Sequence, residues 1–96
     1  MTDPNTTDRD QSEDIADAVL AIDGVVGLHG GMFGEAATYL PGRRVAGIRV
    51  GDGGTEVHVT LQFGVSVRET ADAVRNTVAA MIDGPVHVTV EDIVRV

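Results

Sequence analysis

Ninety-six residues carry seven arginines, no lysine and fifteen acidic side chains, a formal net charge of −8; nucleic acid and anionic lipid are therefore poor partners, because their phosphates meet a repulsive field. The absence of cysteine excludes disulfides, thiolate zinc sites and thiol nucleophiles together. With Phe33, Tyr39 and Phe63 as the whole aromatic set, the core of one modest domain has to come from Val, Ala, Leu and Ile, a packing suited to helices laid on a sheet.

Residues 1–10 are polar and acidic after Met1 and predict a disordered tail ahead of a single domain over 11–96. Asp10-Gln11-Ser12-Glu13 has capping-box spacing, and Ile15, Ala18, Val19 and Ile22 mark the apolar stripe of a first helix that stops at Asp23-Gly24. Val25 to Leu28 reads as a short strand. The glycine-rich stretch Gly30 to Gly34 follows, and its Met32 and Phe33 are large apolar residues that are either pinned into the core or offered to a partner. Thr38 to Leu40 is an optional minor strand, closed by Pro41-Gly42. Val45 to Val50 is expected as one strand, turning through Gly51-Asp52-Gly53-Gly54 into a hairpin.

From Thr55 the periodicity sharpens. Val57, Val59, Leu61 and Phe63 alternate with Glu56, His58, Thr60 and Gln62, the pattern of a half-buried strand. Ser66 and Glu69 have the spacing of a second capping box, opening a helix whose apolar face is Val67, Ala71, Val74, Val78 and Met81. Asp83-Gly84-Pro85 ends that helix, and Val86, Val88 and Val90 then alternate with His87, Thr89 and Glu91. A strand-helix-strand connection returns the chain to the same end of the sheet, so the strands from Thr55 and Val86 should be parallel. The fold class is α+β: two layers, with helices on one face of a small mixed sheet, in the order helix-strand-strand-strand-helix-strand.

The apolar faces are committed to the helices, which leaves His58, Thr60, Gln62, His87, Thr89 and Glu91 on the opposite face as a candidate interaction surface, with Met32 and Phe33 as a second candidate. Histidine and carboxylate together are competent metal ligands, yet solvated positions on an open face explain them equally well, and no metal site is assigned. Gly27, Gly30, Gly31 and Gly34 match neither phosphate-cradling pattern, since no lysine follows them and no convincing helix begins there. Ser12 and Ser66 fit helix capping and carry no sign of nucleophilic activation. No catalytic residue and no cofactor are expected. No apolar run reaches the ~20 residues that cross a bilayer, and the acidic start is unlike a secretory leader, so a cytoplasmic chain without direct membrane insertion is expected.

Gly47-Ile48-Arg49-Val50, the strand ending Phe63-Gly64-Val65-Ser66-Val67, the helix with Ala71, Val74, Val78 and Met81, and the closing Val86-His87-Val88-Thr89-Val90-Glu91-Asp92-Ile93 together resemble the alkaline-shock and envelope-stress family of small bacterial proteins. Gly24-Val25-Val26-Gly27-Leu28 is similar to that family's opening. The resemblance covers about Ile15 to Ile93 and departs from the family at the abrupt Asp83-Gly84-Pro85 connection. It implies a non-enzymatic cytoplasmic protein of the envelope stress response, self-associating into a homo-oligomer and held at the membrane by a small integral-membrane anchor protein. The alternative is a small-ligand or metal-binding module using His58, His87 and Glu91 on the polar sheet face.

Overall fold

A computed structural model describes residues 9–31 and 36–96. Helix α1, Gln11–Leu20, begins at Asp10, whose carboxylate accepts from the Ser12 amide at 2.9 Å while Glu13 reaches back to the Asp10 amide at 3.0 Å. Two backbone donors at the helix start, the amides of Asp10 and Ser12, are thereby satisfied. Ser12 is not the cap: it is the second residue of the helix, fully buried, and donates its hydroxyl to Asp10 at 2.6 Å. Arg9 pairs with Asp14 at 2.7 Å and with Asp17 on the exposed side of α1. Residues 1–8 of the expected tail lie outside the described residues.

Among the described residues, six strands follow α1 in two sheets: β1 Val25–Leu28, β2 Ala37–Leu40, β3 Arg43–Ala46, β4 Ile48–Gly51, β5 Gly54–Gln62 and, after helix α2 Val67–Ala79, β6 Val86–Val94. The fold is α+β with a mixed main sheet. β5 is its axis. β6 runs parallel along one edge of β5, from Thr55 against Val86 to Gln62 against Val94. A strand has only two edges, so β4, paired antiparallel with residues 54–57, and β1, paired antiparallel near 59–61, share the other edge end to end. The Asp52-Gly53 turn joins β4 to β5 with Gly51 against Gly54, as the glycine cluster requires.

The expected single strand from Val45 to Val50 is two strands. Gly47 breaks it at φ +83°, donating its amide to Ala36 at 2.7 Å and accepting from the His58 amide at 2.8 Å. Before the break, β3 pairs antiparallel with β2 in a separate hairpin; after it, β4 enters the main sheet. The optional strand near Thr38 is thus real. Thr38 ties the hairpin back by donating its hydroxyl to the Ile48 carbonyl at 2.6 Å, and Arg43 forks onto Glu13 of α1 at 3.0 and 3.2 Å.

The core lies between the two helices and one face of the main sheet: Ile15, Ala16 and Val19 of α1, Val74 and Val78 of α2, and Ile48, Val57, Val59 and Leu61 of the strands. Ala16, absent from the expected stripe of α1, is buried in it. In α2 the buried face is Thr70, Val74 and Val78, whereas Val67 and Met81 at the two ends are exposed. Ser66 caps α2 by accepting from the Glu69 amide at 3.2 Å, without the return bond of a full capping box. Phe63 does not belong to the core face: β5 ends at Gln62, and the Phe63 ring, 55% exposed, lies 4.1 Å from the Arg95 guanidinium, a cation–π contact.

Candidate functional site

The polar face of the sheet divides at His58. Its backbone occupies the seam where β4 and β1 meet, with its amide donating to Gly47 and its carbonyl accepting from His29 at 2.9 Å. On that edge no continuous strand passes, whereas β6 runs past on the other with Thr89 against His58, and the Glu56 and Glu91 carboxylates stand beside the imidazole. His58 is only 9% exposed. The expectation that it projects freely from the sheet as part of an interaction surface is therefore corrected: His58 is an interior group of that face.

Its partner comes from an irregularity in β6. The parallel register holds from Val86 to Val90 and then skips one residue, so that Val59 faces Val90 but Thr60 faces Asp92. Glu91 is the extra residue. A bulge of this kind re-aims a side chain and reverses the phase of the strand; here the Glu91 carboxylate reaches His58 Nδ1 at 2.6 Å. The same skip brings Asp92 beside Thr60 and Ile93 beside Leu61. Without it, strict alternation would put Asp92 on the apolar face.

The other ring nitrogen, Nε2, is buried without a hydrogen-bond partner. Its nearest acidic atom is Glu56 Oε1 at 3.5 Å, beyond good hydrogen-bond geometry. The second oxygen of Glu56 lies 3.7 Å from Arg49 Nη1. In register, Arg49, Glu56 and His87 form one row across β4, β5 and β6. With the Gly51–Gly54 turn they line an open pocket of about 370 Å³. The sequence pattern puts Glu56 on the polar face with the histidines, but Arg49 beside it depends on β4–β5 register and was not legible there. The bulge did leave a sign, because the apolar positions 86, 88 and 90 are followed by 93.

Of the remaining candidate surface residues, His87 and Thr89 are exposed on β6, Gln62 is exposed at the end of β5, and Thr60 is half-buried beside Gly27. Together they form a discontinuous polar strip around the His58–Glu91 pair. Met32 and Phe33 lie outside the described residues. His29 turns away from the strip, its Nδ1 accepting from the Gly31 amide at 2.9 Å. Among the described residues, no three His, Asp or Glu side chains already meet at one coordinating point, and no helix is long and apolar enough to cross a membrane. No family model, curated protein or solved structure matches the chain.

Proposed function

We propose that the chain is a non-enzymatic interaction protein of the envelope-stress type, which associates with further copies of itself and is held at the inner face of the membrane by a small integral-membrane partner. The observation that carries this reading is the outer edge of β6. Nine residues long, β6 pairs with β5 and with no other strand among the described residues, so its far edge presents backbone donors and acceptors to another chain. The opposite side of the sheet is less open, because the β2–β3 hairpin is tied to Ile48 there. Ile93, near the C-terminal end of β6, is an exposed apolar side chain that adds apolar area to a backbone contact. The resemblance read from the sequence supplies the membrane anchor and the stress context.

Light scattering of the purified chain over a range of concentrations tests self-association, with Thr89→Lys and Ile93→Lys as variants, since lysine on an edge strand opposes strand addition. A rise in mass with concentration that both variants suppress is expected. Fractionation of cells producing the chain tests the anchor: recovery with membranes, reversed by high salt or detergent, is expected. A monomer at every concentration that also stays wholly out of the membrane fraction overturns the reading.

A further inference from the structure

Zinc bound by protein nitrogen and oxygen ligands stands 2.0–2.2 Å from each, roughly 3.3 Å separating two donors of a tetrahedron. His58 Nε2 and Glu56 Oε1 are 3.5 Å apart, two residues from each other on one face of β5. That spacing is too long for a good hydrogen bond and suits a bridging cation. The nitrogen is buried and unpartnered, on a side chain only 11% exposed, a costly arrangement for a polar atom unless something completes it. Its opposite nitrogen is held by Glu91 at 2.6 Å, the carboxylate–histidine pairing that fixes the tautomer and orientation of a metal-ligating imidazole. His87 is directly across from Glu56 in register and exposed. Its Nε2 is turned toward Gly54, and its side chain lines the same open pocket as Glu56.

We propose that Glu56, His58 and His87 form a site for a divalent transition metal of the zinc class, with Glu91 as the positioning residue behind His58. Two donors are in place and the third lines the same open pocket as Glu56, short of a ready three-residue cluster. The mixed nitrogen and oxygen donors favour zinc or its neighbours over magnesium or calcium, which take oxygen ligands. Arg49, close to the second oxygen of Glu56, opposes the bound charge. The inference is independent of the interaction reading, since it uses the face of the sheet and leaves the β6 edge free.

Calorimetric titration of the full chain with zinc, and the visible spectrum with cobalt, test it. One equivalent is expected to bind, with the absorption of tetrahedral or five-coordinate cobalt and a zinc-dependent shift of the His58 Nε2 resonance. His87→Ala, at an exposed position that leaves the fold intact, and Glu56→Gln should each weaken binding by about tenfold or more, Glu91→Gln by about 10–100-fold, and Arg49→Gln should tighten it. His29→Ala is expected to change nothing. No saturable binding of either metal, or binding that His87→Ala and Glu56→Gln leave unaltered, overturns the site.

Discussion

Gly47 is the residue on which the geometry of the sheet turns. A β-carbon there would lie 2.8 Å from the His58 carbonyl oxygen and 2.9 Å from Leu28 Cβ, at a φ of +83°. Left-handed strain and a clash with backbone act together, so Gly47→Ala is expected to destabilise the fold by roughly 3 kcal/mol or more. Gly42 separates the two effects, having φ +75° with open space around it; Gly42→Ala should lose about 1 kcal/mol from the backbone alone. Urea denaturation of the two variants checks the difference, and equal losses would show that the seam is not closely packed. The consequence reaches the His58 backbone, whose amide donates to the Gly47 carbonyl at 2.8 Å at this seam.

Between elements, α1 is joined to the β2–β3 hairpin by charge. The Arg43 guanidinium, followed by the Asp10 amide, holds the Glu13 carboxyl below its ordinary range; the Ser12 hydroxyl and then the Ser12 amide do the same for Asp10. A carboxylate with its folded pKa below its unfolded one contributes stability that is fully present above the unfolded value and is lost as pH falls through the folded value. The junction should therefore hold above about pH 5 and loosen progressively below about pH 4. Amide hydrogen exchange in α1 and the hairpin should quicken over that window, and Glu13→Gln should flatten the dependence. A dependence unchanged by Glu13→Gln would assign it to other carboxylates. Helix α2 is held differently, by apolar burial. Val74→Ala, which empties a fully buried position, should cost about 1–3 kcal/mol, whereas Val67→Ala at the exposed end of the same stripe should stay within about 0.5 kcal/mol. Chemical denaturation reads both, and comparable losses would move the buried face of the helix.

Over the whole molecule, a net charge of −8 means that copies repel one another at long range, while any contact through the β6 edge is short-range backbone and apolar surface. Self-association should therefore strengthen as salt rises from about 0.05 to 0.5 M, where screening shortens to a few ångströms. Sedimentation equilibrium checks this; dissociation by salt would instead point to complementary charges, such as His87 against an acidic partner, as the attraction. The α+β class, the parallel β5–β6 pair and the separation of apolar from polar face were legible in the sequence, because each depends on periodicity within one segment or on a short strand-helix-strand connection. The break at Gly47, the release of Phe63 from the core and the burial of His58 were not. Each is decided by what lies across the sheet: two strands meeting end to end on one edge of β5, and a skipped residue at Glu91 on the other. Local pattern determines which side of a strand a residue faces, and only the neighbouring strands decide whether that side is open to water or closed around a histidine.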